Sequence, residues 1–126
     1  MKPPNLGSVA LALLLSLTFG AGCNRSTPPP TPLPVQEIPA ALEKAFSKAK
    51  PEIKDLANQV AAAVQAQDYP KAFQSIQNLA GRPGLTKDQV SVTSRATLTV
   101  NSLLQTAVTK GDTKAAQTLQ IYRKDK

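Results

Sequence analysis

Residues 63–76 read AVQAQDYPKAFQSI, and residues 107–119 return to the same pattern as AVTKGDTKAAQTL. The offset is 44 residues up to Asp68 and Asp112 and 43 beyond them, because the second copy is one residue shorter. In each copy an apolar segment ends, an aspartate follows, and a Lys-Ala pair opens another apolar segment. Since aspartate is a preferred N-cap residue, each copy predicts two helices joined by a tight turn. The chain is therefore expected to be all-α, with two similar helical hairpins.

Apolar residues at helical spacing extend this pattern along the chain. A first helix is expected from Ile38, and a second from Pro51, since proline suits the first turn of a helix. Residues 81–84, Gly-Arg-Pro-Gly, break the third helix, and Gly111 ends the fourth. About five helices result. The apolar stripes of the first three are Ile38, Ala41, Leu42, Ala45, Phe46 and Ala49; Ile53, Leu56, Ala57, Val60, Ala63 and Val64; and Tyr69, Ala72, Phe73, Ile76, Leu79 and Ala80.

Residues 90–100 are ambiguous between a strand and a helix. Apolar and polar residues alternate there, which is the pattern of a half-buried strand. However, Thr86 and Gln89 have the spacing of a capping box, which marks the start of a helix. A lone strand would also leave its backbone groups without partners. The interpretation adopted is one helix over residues 87–109.

The turn within each copy resembles the turn of tetratricopeptide-type helical hairpins, in which a Gly-Asp-Tyr-like turn precedes a Lys-Ala step. The resemblance covers residues 56–123, but the period is near 44 rather than 34 residues. It implies a concave groove that binds extended peptides or other proteins. The preferred interpretation is instead a compact small bundle of two similar hairpins, since two hairpins make only a small groove.

Composition excludes several classes of function. The 126 residues fit one small domain, and they include no His and one Cys, which removes the commonest general base and most zinc chemistry. Formal net charge is +7, and it falls to +6 if Lys2 is removed with a leader segment. Such a charge favours adsorption to anionic surfaces, but the preferred interpretation is an ordinary solvated face that keeps the domain soluble.

The first 22 residues are predicted to be a secretory signal peptide. Lys2 supplies the positive charge, residues 6–19 are almost wholly apolar, and residues 20–22 are the small residues Gly-Ala-Gly. A membrane-spanning helix needs about 20 apolar residues, and Ser8, Ser16 and Thr18 interrupt this stretch.

Residues 20–23, Gly-Ala-Gly-Cys, resemble the lipobox of bacterial lipoproteins. Membership implies that the Cys23 thiol receives a diacylglyceryl group and that cleavage occurs just before it. Gly20 stands where the family usually has leucine or another aliphatic residue. In that family an aspartate directly after the cysteine retains the lipoprotein in the inner membrane. Asn24 stands at this position here, so the resemblance implies the periplasmic face of the outer membrane. The alternatives for Cys23 are a free thiol after ordinary cleavage and a buried structural cysteine.

Residues 23–36 are predicted to be a disordered tether. Five prolines among residues 28–34 exclude a helix or a central strand and favour extended polyproline II. Thirteen residues in that conformation reach roughly 40 Å. A spacer is the preferred interpretation, and a proline-motif ligand for a partner domain is the alternative.

No catalytic constellation is found in the sequence. Glu52 and Asp55 share a helix face but suit a solvated first turn. Ser47 and Lys48 are neighbours on a helix and point in different directions. Lysines are frequent in the first two helices, and three basic residues lie at the end of the chain. Nucleic-acid-binding surfaces usually place aromatic residues between such basic residues, but here the aromatic residues fall on apolar helix faces. These basic residues are Lys44, Lys48, Lys50, Lys54, Arg123, Lys124 and Lys126.

The sequence thus predicts a signal peptide (1–22), a lipidated Cys23 with a tether (23–36), a helical domain (37–123) and a basic tail (124–126). The expected function is that of a non-enzymatic envelope lipoprotein acting as a small protein-interaction or scaffold module. The alternative is a basic module that binds anionic lipid or polymer surfaces of the envelope. No cofactor, metal site, nucleic-acid partner or small-molecule substrate is expected.

Overall fold

The structure, a computed structural model, describes residues 28–126. The predicted signal peptide, Cys23 and the first part of the tether lie outside the described residues. A short 3-10 turn, Val35–Glu37, leads into five helices, and no strand is found among residues 28–126. The predicted all-α fold is confirmed. The helices are α1 (Ile38–Phe46), α2 (Pro51–Gln65), α3 (Tyr69–Ala80), α4 (Lys87–Thr109) and α5 (Thr113–Lys124).

The two aspartates of the sequence repeat cap helices in the same way. Asp68 Oδ1 accepts a hydrogen bond from the backbone N–H of Lys71 at 3.2 Å. Asp112 Oδ1 accepts one from the backbone N–H of Ala115 at 3.1 Å. Each bond satisfies one of the N–H groups that a helix start leaves without an intrahelical partner. Both predicted caps are confirmed.

The turn before each aspartate is also the same in both copies. The backbone N–H of Asp68 donates to the Ala63 carbonyl at 2.9 Å, and that of Asp112 donates to the Ala107 carbonyl at 3.0 Å. The residue before each aspartate has a positive φ, 56° at Gln67 and 91° at Gly111. These bonds close the preceding helix by the left-handed C-terminal motif. The sequence repeat is therefore a structural repeat.

The segment that was ambiguous between strand and helix belongs to one continuous helix, α4. Thr86 Oγ1 accepts from the backbone N–H of Gln89 at 3.2 Å, and Gln89 Oε1 accepts from the backbone N–H of Thr86 at 3.0 Å. This reciprocal pair is the predicted capping box. The alternating apolar residues do not make a strand because the capping box starts a helix and tertiary packing supports it.

Helices α1 to α4 close into a ring. Short loops place α1 beside α2, α2 beside α3, and α3 beside α4, and α4 also contacts α1. Helix α5 lies outside this ring and packs on α3 and α4. Only Ala115 and Thr118 of α5 are buried. Because the second copy is one residue shorter, its buried alanine, Ala115, is the third residue of α5, whereas Ala72 is the fourth residue of α3.

The core is made of aliphatic residues and alanines with few aromatics. Phe46 and Phe73 are the buried aromatic residues of the described chain. Buried alanines allow helices to approach closely, which compensates for the shortage of large side chains. The buried apolar residues are Leu33, Ile38, Leu42, Phe46, Ala57, Val60, Ala63, Val64, Ala72, Phe73, Ile76, Leu79, Ala96, Val100, Leu104 and Ala115.

The ordered domain begins earlier than predicted, which corrects the disorder expected through residue 36. Leu33 is 5% exposed and belongs to the same core as Ile38 and Leu42. The prolines exclude regular structure here but do not prevent an extended segment from packing. Burying a leucine side chain favours the packed state by roughly 2 kcal/mol, which helps to offset the ordering of a segment already stiffened by prolines.

Residues 31–33, which we call the strap, are hydrogen-bonded to the middle of α4. Arg95 Nε donates to the Thr31 carbonyl at 2.9 Å, and the Leu33 N–H donates to the Arg95 carbonyl at 3.3 Å. The Thr99 hydroxyl donates to the Leu33 carbonyl. Three bonds and one buried side chain thus fix the point at which the chain enters the domain.

We expect Gln67→Gly to stabilise the protein by about 1 kcal/mol, because a side chain in the left-handed region crowds its own backbone. The reciprocal Gly111→Gln variant should lose a similar amount at the equivalent turn. Urea unfolding followed by circular dichroism measures both changes. Effects of the same sign in the two variants would contradict the equivalence of the turns.

We expect Leu33→Ala to destabilise the domain by about 2–3 kcal/mol, since it removes a buried side chain from the core. Leu98→Ala is the matched control. Leu98 lies on α4 between the two residues that bind the strap, but its side chain is 40% exposed. The control should cost less than about 1 kcal/mol. Equal unfolding free energies for the two variants would show that the strap contributes nothing to stability.

Candidate functional site

Of the residues considered for acid-base or nucleophilic chemistry, Lys48 and Glu52 line one depression, and Ser47 and Asp55 do not line it. Glu52 and Asp55 are exposed near the start of α2. The Ser47 hydroxyl donates to the Lys44 carbonyl at 3.1 Å, which is a local bond at the end of α1. Within residues 28–126, no group of three or more metal-ligating side chains of the His, Cys, Asp or Glu type is found. Cys23, the predicted lipidation site, lies outside the described residues.

One depression on the surface lies between the α1–α2 loop and the α3–α4 loop, and we call it the loop-end cleft. Its volume is about 410 Å³. Lys48 and Lys50 come from the first loop and Arg82 from the second, so the fold joins basic residues more than 30 positions apart. The remaining lining residues are Ala49, Glu52, Ile53, Pro83, Gly84, Leu85, Thr86 and Gln89.

Gln89 sets the position of the two loops that form this cleft. Its Oε1 atom is engaged by the Thr86 N–H, and its Nε2 atom donates to the Ala45 carbonyl at 3.2 Å. One buried amide therefore ties the first turn of α4 to the last turn of α1. Gly84, with a φ of 78°, provides the left-handed residue that the α3–α4 loop needs before α4 begins.

Positive charge predominates in the loop-end cleft. Lys48, Lys50 and Arg82 are exposed, and Glu52 is the acidic residue among the lining side chains. Sequence reasoning identified the two lysines but missed Arg82, which was treated only as part of a turn. One feature of the sequence could have located it. Arg82 lies four residues before the Thr86 cap, so it must lie at the same end of the bundle as the start of α4.

A second depression, which we call the hairpin groove, runs between α3 and α5. Its volume is about 340 Å³. At its base the rings of Phe73 and Tyr122 meet edge to face, with centroids 5.1 Å apart and planes at 90°. Ile121 is 58% exposed at its border. Gln74 and Gln77 supply polar groups from α3. The groove therefore combines apolar and aromatic residues with amide side chains and one carboxylate, that of Asp125.

The basic residues at the end of the chain do not line the loop-end cleft, and one of them, Lys126, lies beside a residue of the hairpin groove. Lys126 Nζ lies 5.0 Å from the centroid of the Tyr122 ring, which is a cation–π distance. Lys44 and Lys54 also do not line the loop-end cleft. The basic residues singled out in the sequence are thus divided among separate surfaces rather than gathered in one patch.

None of the helices among residues 28–126 combines the length and the apolar character that crossing a bilayer requires. Comparison with models of protein families, with curated proteins and with solved structures finds no match to this chain.

Proposed function

We propose that this protein is a non-enzymatic lipoprotein of the bacterial cell envelope that presents a small helical module for binding another protein. The lipid anchor is Cys23, and the location is the periplasmic face of the outer membrane. The hairpin groove is the observation that carries the binding role. The anchor rests on the sequence of residues 1–23, which resembles a lipoprotein signal.

The hairpin groove has the anatomy of a protein-binding surface. The centres of such surfaces are rich in aromatic residues and poor in charge, and their rims are polar. Tyr122, whose ring packs edge to face on the buried Phe73, supplies the aromatic group, while Gln74 and Gln77 supply uncharged hydrogen-bonding groups. Exposed Ile121 adds apolar area that burial in a complex would stabilise.

The length of chain between the anchor and the domain suits a module held near a membrane. Residues 24–30 separate Cys23 from the strap, and seven residues span at most about 24 Å. This is less than the roughly 40 Å expected for the whole tether, because the strap belongs to the domain. The module is therefore held within about one domain diameter of the lipid surface.

A second candidate function, binding of anionic surfaces, is favoured by the loop-end cleft. Three cations converge there from two loops, whereas the remaining basic residues are dispersed. Residues 28–126 carry 13 basic and eight acidic side chains, a net charge of +5. Such a charge draws the domain toward anionic surfaces over a distance of about one Debye length.

For the anchor, we expect the mature protein purified from its own membrane fraction to begin at Cys23 and to carry added acyl mass. Intact-mass spectrometry measures both features. Cys23→Ser should abolish the added mass, and Gly20→Leu should raise the processed fraction because it restores the aliphatic residue usual in lipoprotein signals. A wild-type chain without acyl mass would contradict the proposed anchor.

For the binding role, we expect a photo-crosslinking residue placed at Ile121 to form one discrete adduct with an envelope protein. The matched control carries the same residue at Val90, which is also exposed and apolar but lies on α4. Adducts at position 121 and none at position 90 would place the contact at the hairpin groove. The same adducts at both positions, or none at either, would contradict a groove-specific partner.

A further inference from the structure

We propose that the loop-end cleft binds the phosphate group of an anionic phospholipid headgroup, so that the domain rests on the membrane surface with this end down. The inference deepens the second candidate function and rests on the proposed anchor at Cys23. The juxtaposition of Lys48, Lys50 and Arg82 in one cleft is the observation that carries it.

The cations of the cleft match the chemistry of a phosphate diester. Arg82 can donate two parallel N–H groups to two phosphate oxygens, whereas lysines act as mobile point charges. All three side chains are exposed, so their approach to a headgroup needs little desolvation. Each basic residue close to an anionic bilayer strengthens binding by about fivefold.

Apolar side chains in the same cleft favour a lipid over a free anion or a nucleic acid. Ile53 and Leu85 are half-buried lining residues that add apolar contacts for the carbon atoms of a lipid headgroup to the charges that bind its phosphate. No aromatic residue lines the cleft, although base stacking on aromatic rings is the usual device for holding single-stranded nucleic acid.

The geometry of the strap allows this end of the domain to reach the membrane. The chain enters the domain at the level of Arg95 and Thr99 on α4. Gln89, which lines the cleft, is ten residues before Thr99, a separation of about 15 Å along the helix. Residues 24–30 can span about 24 Å, so an anchor in the bilayer and a headgroup in the cleft can be engaged together.

The test uses the chain from residue 24 onward, which lacks the lipid anchor but contains every buried residue of the described domain. Circular dichroism first confirms its helical content. Binding is then measured by co-sedimentation with vesicles of pure phosphatidylcholine and with vesicles containing phosphatidylglycerol. We expect binding only to the anionic vesicles, with weaker binding as salt concentration rises.

Two triple variants with the same change of net charge locate the site. Lys48→Gln, Lys50→Gln and Arg82→Gln together should weaken binding on the order of 100-fold, at about fivefold for each charge. Lys110→Gln, Lys114→Gln and Arg123→Gln together, outside the cleft, should weaken it by less than about fivefold. Equal losses in the two triples would overturn the cleft as the site, since they would mean diffuse charge attraction.

A gain of binding provides a check that loss of folding cannot imitate. Glu52→Gln removes the acidic side chain of the cleft and should strengthen binding to anionic vesicles by about fivefold. Unchanged or weaker binding would overturn the proposal, as would equal binding to both kinds of vesicle. A preference for a soluble polyanion over the vesicles would also overturn it. Because this chain lacks the anchor, these outcomes are independent of whether Cys23 is acylated.

Discussion

The contact between α1 and α4 closes the bundle, and the arrangement of its surfaces depends on that closure. The other neighbouring helices in the ring are consecutive in sequence and are joined by short loops. In contrast, α1 and α4 are separated in sequence by two helices. Their contact is held at one end by the Gln89 amide on the Ala45 carbonyl and at the other by the strap. The first of these bonds involves Gln89, which also lines the loop-end cleft, so closure of the ring and formation of the cleft share one side chain.

Features that depend on a few neighbouring residues were predictable from the sequence. The aspartate caps at Asp68 and Asp112 and the reciprocal bonds of Thr86 and Gln89 each involve atoms within three positions of one another. The capping box outweighed the alternating pattern of residues 90–100 because a cap specifies a backbone conformation, whereas alternation specifies only which side chains face the core. Apolar periodicity likewise identified most of the buried residues.

Features that join distant residues were not predictable from the same reasoning. Proline content correctly excluded regular structure among residues 28–34, yet it carried no information on whether an extended segment packs. A single leucine among prolines is the residue that packs, and its hydrogen-bond partners are more than 60 positions away. The meeting of Arg82 with Lys48 and Lys50 has the same origin. For Gln89, only one of two side-chain hydrogen bonds was predictable. The bond that Oε1 accepts belongs to the capping box, whereas the bond that Nε2 donates to the Ala45 carbonyl depends on the closure of the ring.

The strap determines how a mechanical pull on the upstream chain enters the domain. Tension arriving at Thr31 is transmitted through the Arg95 and Thr99 side chains to the middle of the longest helix. Helix α1 has nine residues, and a helix that short has little stability apart from its packing. Because the strap takes the tension first, α1 is not drawn out from its free end. A pull on the upstream chain would therefore load α4 first, and the short helix α1 would carry no load while the strap holds.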